Sequence, residues 1–200
     1  MAKANSTQPI PPFPADIDRT AFGHWLSGFS DGEACFVIQD GKPRRVGDKR
    51  PSLTCEFAIS LRRDDLPVLQ LIQSYWQCGG IVHYDSYGRT PGNPSSRFYV
   101  HKTSCLTDIL IPHFDRYPMF AKKARDFLIW KKAVLLKAGI AVRKYRGLPS
   151  GKGCTPKWTD AEIAHYRSLK AAMESGRKYN ATATEIPPPP LSQKESNLFG

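Results

Sequence analysis

The chain contains no stretch approaching the roughly 20 apolar residues that span a bilayer, and no apolar core follows a basic start at its N-terminus. That pattern predicts a non-secreted protein with no membrane partner, acting inside the cell in whichever compartment bears its genome. Paired metal-ligand spacing is missing too. Cys35, Cys55, Cys78, Cys105 and Cys154 are scattered, with no C-x-x-C and no histidine at zinc-finger distance. His101 and Cys105 stand four apart, but no second pair completes four ligands, so the cysteines read as reduced packing residues. Acidic residues are scarce: 18 Asp and Glu face 29 Lys and Arg, a net charge of +11. Such an excess favours a polyanionic partner, nucleic acid first and an anionic membrane surface second.

Two hundred residues suffice for one domain with a hydrophobic core. Proline clusters at both ends (Pro9, Pro11, Pro12 and Pro14; Pro187 to Pro190) predict disordered or extended tails over 1–17 and 181–200, leaving a single domain at 18–180. Within it the apolar period alternates between helix and strand. A helix is expected over about Ala21 to Asp31, capped by Thr20 or Asp18, leading directly into a strand over Ala34 to Asp40. After a basic loop come Leu53, Cys55, Phe57, Ile59 and Leu61 in strict alternation with Ser52, Thr54, Glu56, Ala58 and Ser60, a strand with one polar face.

The unit then repeats. Asp64, Asp65 and Pro67 open a helix carrying Leu66, Leu69, Ile72 and Trp76, which Gly79 and Gly80 stop. Strands are expected at Ile81 to Tyr87 and Ser96 to His101, with Val82 and Tyr84 opposed to His83 and Asp85 in the first, and Phe98 and Val100 opposed to Arg97, Tyr99 and His101 in the second. A short helix over Leu106 to Ile111 should end at Pro112, and a longer one should span Phe120 to Lys137 with Phe120, Ala124, Phe127, Leu128 and Leu135 inward. Thr159 with Glu162 signals a capping box for a last helix ending at Gly176. The fold class is therefore α+β, in the order αββαββα with helices appended.

One segment breaks several local rules. Gly23, Ser27, Gly28, Asp31 and Gly32 place small side chains at spacings of three and four, which lets another helix backbone approach. Glycines inside a helix cost about 0.5–1 kcal/mol each, and two acids, Asp31 and Glu33, stand at the helix C-terminus, where the macrodipole disfavours them. A close helix contact and a bound cation would relieve both costs.

Leu26 to Ala34, LSGFSDGEA, resembles the nine-residue signature of the LAGLIDADG homing endonuclease family: Leu26, Gly28 and Asp31 match outright, and Ala34 replaces the final glycine at the turn into the strand. The resemblance implies a four-stranded saddle-shaped antiparallel sheet over the DNA major groove. It implies Glu33 as catalytic and metal-binding carboxylate, with Mg²⁺ as cofactor and Mn²⁺ able to substitute, and Asp31 as a brace at the helix junction. One copy of the signature implies a homodimer paired through Ser27, Gly28, Asp31 and Gly32, acting on long palindromic or pseudo-palindromic double-stranded DNA.

Met119 to Phe127, MFAKKARDF, resembles the region bearing the family's active-site lysine, which points to Lys122 or Lys123; Arg62 is a further neighbour of the expected active site. The outward strand residues Val37, Gln39, Ser52, Thr54, Glu56, His83, Asp85, Arg97, Tyr99 and His101 are expected to face DNA, and Lys42, Arg44, Arg45, Lys49 and Arg50 in the basic loop to reach its flanks. The same resemblance leaves two alternatives: a maturase that binds intron RNA, or a DNA-binding protein that does not cut.

Overall fold

The computed structural model describes residues 3–4, 9–41, 52–87, 90–146 and 158–177. The first helix, α1 (Arg19–Glu33), starts where Asp18 accepts a hydrogen bond from the Ala21 amide, at 2.6 Å. It runs without a connecting loop into β2 (Ala34–Gly41), which pairs antiparallel with β3 (Ser52–Arg62). Helix α2 (Leu66–Trp76) leads to a second antiparallel pair, β4 (Gly80–Tyr87) and β5 (Thr90–Val100). β3 and β5 lie side by side at the centre, and the two-residue strand β1 (Lys3–Ala4) adds to the outer edge of β4, giving the order β1-β4-β5-β3-β2. The four expected strands are present in the expected order. β5 is longer than anticipated, because Thr90 and Pro91 already pair with Tyr87 and Ser86 before the ladder resumes, past a register shift, at Ser95.

Helices cover one face of the sheet. Phe36 from β2, Phe57 from β3 and Phe98 from β5 are fully buried there, with Leu26, Leu69, Ile72 and Trp130 from the helices. Phe57 and Phe98 each meet the Trp76 ring, at 5.3 and 5.9 Å, which fastens α2 to the central strands. α2 closes on Gln77, whose φ of 51° is left-handed, and Gly79 follows at φ 88° with the Phe98 ring and the Tyr99 carbonyl where a Cβ would stand.

Three expectations about helices and tails are corrected. Residues 9–17 are not a loose tail: Phe13 packs its ring against Phe22 and Tyr75, and Gln77 donates to the Pro11 carbonyl. Pro112 does not end its helix. Thr103–Cys105 (α3) passes through a π turn at Leu106–Leu110 into α4 (Ile111–Arg116), and Pro112 falls at the start of α4, where a proline is tolerated.

Finally, α5 (Lys122–Arg146) turns Phe127, Trp130, Ala133 and Val134 inward, while Leu128 and Leu135 are exposed and Phe120, just before the helix, is 63% exposed. Two apolar stripes overlap on this helix, and the bulkier aromatic one won the core. The last helix, α6 (Asp160–Arg177), begins with the reciprocal Thr159–Glu162 capping box. It protects the edge strand β2: Arg177 donates to the Phe36 carbonyl and pairs with Asp126, and Arg167 pairs with Asp40. The C-terminal tail 181–200 lies outside the described residues.

Candidate active site and nucleic-acid face

The signature segment divides into an inward and an outward stripe. Gly23 and Ser27 face the interior of the chain. A Cβ on Gly23 would collide with the Tyr117 ring, at 2.6–2.9 Å. Ser27 is 2% exposed and donates its hydroxyl to the Tyr117 carbonyl at 2.6 Å, which leaves its oxygen to accept from His113 Nε2 at 3.4 Å. Ser27 is therefore corrected from a pairing residue to an internal one. Burial among Tyr75, Trp76 and Tyr117 pushes His113 down to about 4, with His24 adding to the effect, so the imidazole is neutral at pH 7.

Gly28 and Gly32 point the other way, and nothing lies within 4 Å of a Cβ placed on either. Beside them Trp25 stacks on Phe29, with ring centroids 5.0 Å apart and planes 14° from parallel, and Trp25 is 43% exposed. The partly exposed aromatic stack and the two open glycines lie on the same side of α1. The glycines were legible in the sequence. Trp25 and Phe29 were missed, although their spacing of four could have found them.

Asp31 and Glu33 have different surroundings at the end of α1. Asp31 Oδ2 accepts from the amides of Phe120 at 2.7 Å and Ala121 at 3.1 Å, capping the entry to α5. Its negative charge sits at the positive end of α5, which offsets its poor placement on α1. Glu33, the last helical residue, is exposed. Ala34 follows at φ −78° and ψ 156°, ordinary extended backbone that any residue adopts, so the departure from the signature's final glycine costs the turn nothing. Of the two lysines, Lys123 donates to the carbonyl of Ala34, next to Glu33, while Lys122 is exposed in the first turn of α5. Arg62 ends β3, three residues past Ile59, the partner of Ala34, and it pairs with Asp64 at 2.9 Å in an exposed contact.

Among the described residues no group of three or more His, Cys, Asp or Glu could hold a metal ion. Mg²⁺ prefers octahedral oxygen coordination and keeps several waters, so the single free-standing carboxylate of Glu33 does not make a complete site within one chain.

The sheet face away from the helices carries most of the residues expected to meet DNA. Val37 pairs with Glu56 and Gln39 with Thr54, and Gly41 stands opposite Ser52; across the centre Ala58 pairs with Tyr99 and Ser60 with Arg97. These residues share the outer face. Thr54 donates to Gln39 Oε1 at 3.3 Å, Arg97 pairs with Glu56, and His101, just past β5, stacks on Tyr99 with planes 8° from parallel.

β4 is the exception. Its register sets Ile81 against Phe98 and His83 against Ser96, so His83 faces the helices and contacts Ser96 Oγ at 2.9 Å, while Val82 and Tyr84 share the outer face with Arg97. Asp85 sits at an irregularity between Tyr84 and Ser86 and pairs with Arg63 at 3.4 Å. His83 is thus corrected, and Val82, Tyr84 and Cys35 join the outer face, while Asp85 remains exposed at the irregularity. Lys42, Arg44, Arg45, Lys49 and Arg50 lie outside the described residues.

No described helix is long and apolar enough to cross a membrane. Residues 26–134 match the model of the LAGLIDADG endonuclease family. Among curated relatives, an uncharacterized 50.9 kDa protein in ND4 intron 1 of Podospora anserina is 32% identical over 116 residues, covering 56% of this chain and 23% of that protein. Probable intron-encoded endonuclease 2 of Neurospora crassa is 32% identical over 114 residues, covering 56% and 24%. Homing endonuclease I-ApeII of Aeropyrum pernix is 27% identical over 120 residues, covering 60% and 66%.

The chain spans about a quarter of the length of the two fungal proteins. In fold it resembles the I-SmaMI LAGLIDADG homing endonuclease, solved bound to cleaved DNA, with a TM-score of 0.60, 22% identity, and coverage of 84% of this chain and 48% of that one. I-LtrWI, solved bound to target DNA, gives 0.61, 18%, 84% and 48%. With more than half its length matched by the family model, this chain belongs to the LAGLIDADG endonuclease family.

Proposed function

We propose that the chain is a site-specific homing endonuclease that pairs with a second copy of itself and hydrolyses both strands of a long, palindromic or pseudo-palindromic DNA site. One observation carries this reading: an exposed carboxylate, Glu33, ends a helix whose Gly28 and Gly32 face is open to a backbone-close partner. The chain matches about half of the I-SmaMI and I-LtrWI chains, so an assembly of that size needs a second lobe. A two-fold pairing of α1 with its copy supplies one and brings two Glu33 carboxylates to the same axis.

Two carboxylates and the phosphate oxygens of the duplex make a donor set suited to Mg²⁺, with Mn²⁺ able to substitute. Such an ion, when bound, supplies an activated water and neutralises charge at the leaving oxygen. The chain's own residues orient the rest. Asp31 fixes the α1–α5 junction, and Lys123, tied to the Ala34 carbonyl, holds a positive charge one residue from Glu33; Lys122 and Arg62 are the further cations for the scissile phosphate. The outer strand face supplies the side chains that meet base edges. The excess of 29 basic over 18 acidic residues draws the duplex in.

The test is incubation of the purified protein with Mg²⁺ and a pool of long duplexes. Double-strand products are expected. Tight duplex binding with no product in Mg²⁺ or Mn²⁺ would replace this reading with that of a binding protein, and preference for structured intron RNA over duplex DNA with that of a maturase.

A further inference from the structure

The two central strands carry an ion pair on their outer face. Arg97 of β5 donates from Nη2 to Glu56 Oε1 of β3, and the side chains keep 33% and 26% of their surface exposed. The register makes this pairing diagonal. Arg97 stands opposite Ser60, and Glu56 lies four residues farther along β3, about 13 Å at the rise of an antiparallel strand. The two side chains therefore reach toward each other along the sheet, across the position of Ala58. Ala58 is only 2% exposed although it lies on the face away from the helices, and its single methyl leaves room for side chains to lie flat above it. On the far side, Trp130 donates from Nε1 to the Glu56 carbonyl at 3.1 Å, which fixes the strand where the carboxylate projects.

Held this way, each charge is partnered by the other, so a ligand that takes one leaves the other without its partner. An arginine that leaves for a phosphate abandons a carboxylate beside a polyanion. One base pair satisfies both groups together: guanine presents the adjacent acceptors N7 and O6 to a guanidinium fork, and the cytosine paired with it presents an amino donor next in line to a carboxylate. An A·T pair places its donor between two acceptors and does not match that order.

We propose that Glu56 and Arg97 form a single specificity-determining unit that selects a G·C pair, in one orientation, at the position it faces in each half-site. This rests on the double-stranded DNA reading above and deepens it.

The experiment enriches duplexes from a pool with a randomised central segment, using wild-type protein without divalent metal, and then varies the winning duplex one base pair at a time. Wild type should prefer G·C by about tenfold or more at one position per half-site. Glu56→Gln should reduce that preference to about threefold or less while strengthening binding to unrelated duplex, and Arg97→Lys should lose it although the charge is kept. Other positions should hold their preferences, and urea midpoints near wild type should show that both variants fold. An unchanged preference in both variants, or a uniform change across all positions, overturns the unit while leaving DNA binding intact. Failure of wild type to enrich any duplex overturns the DNA reading and this inference with it.

Discussion

Asp31 and Glu33 stand two residues apart in the signature, and their different surroundings lead to different effects on stability. Asp31 caps the entry to α5 with one oxygen that accepts two amides, at 2.7 and 3.1 Å. Hydrogen bonds to a charged acceptor are worth about 1.5–3 kcal/mol. Asp31→Ala should therefore cost about 2 kcal/mol. Asp31→Asn keeps an accepting oxygen but loses the charge facing the α5 macrodipole, and should cost about 1 kcal/mol. Glu33 is exposed, so Glu33→Gln should stay within about 0.5 kcal/mol of wild type. In urea unfolding followed by circular dichroism, with an m-value of about 2 kcal/mol/M, these become midpoint losses of about 1 M, 0.5 M and under 0.3 M. A Glu33→Gln variant less stable than Asp31→Ala, or an Asp31→Ala variant matching wild type, would refute the division of roles.

Gly79→Ala forces a side chain into φ 88° and against the Phe98 ring, and should cost about 2–4 kcal/mol in the same assay. A Cβ on Gly28 meets nothing within 4 Å in its own chain, so Gly28→Leu should still fold, while sedimentation velocity should show the dimer gone and the urea midpoint should fall only by the association energy lost with it. A persistent dimer would remove α1 from the pairing surface. His113 should make the fold acid-sensitive. Its ordinary value of 6.5 is lowered to about 4 in the folded chain, so between those values the unfolded chain holds the extra proton. Stability from this group is full above pH 6.5, falls as pH drops toward 4, and changes no further below; the total is about 3 kcal/mol. Urea midpoints across that window for wild type and His113→Phe would measure it, the variant showing the shallower slope.

Much of the fold was legible because local chemistry and tertiary context agree. Asp18 caps where a short polar side chain should, Thr159 and Glu162 form their reciprocal box, and the alternation from Ser52 to Ser60 survives because β3 has helices on one face only. Reading failed where two patterns competed. β4 carries apolar or aromatic residues at both parities, Ile81 against Val82 and Tyr84, so only its pairing with Phe98 in β5 decides which way His83 points. α5 has two apolar stripes, and the one with Phe127 and Trp130 took the core. In the candidate site, Glu33 and the open glycines were visible in the signature itself. The inward turn of Ser27 was not, because it is set by Tyr117, 90 residues away in the chain.

Cleavage by Glu33→Gln on a duplex that the wild-type protein cuts tests the central claim most directly. With Mg²⁺ present and binding measured in parallel, the wild type should yield double-strand products, and the variant should bind the same duplex as tightly and yield none. Equal cleavage by the two proteins would contradict the assignment of the exposed carboxylate at the end of α1 as the group that holds the metal.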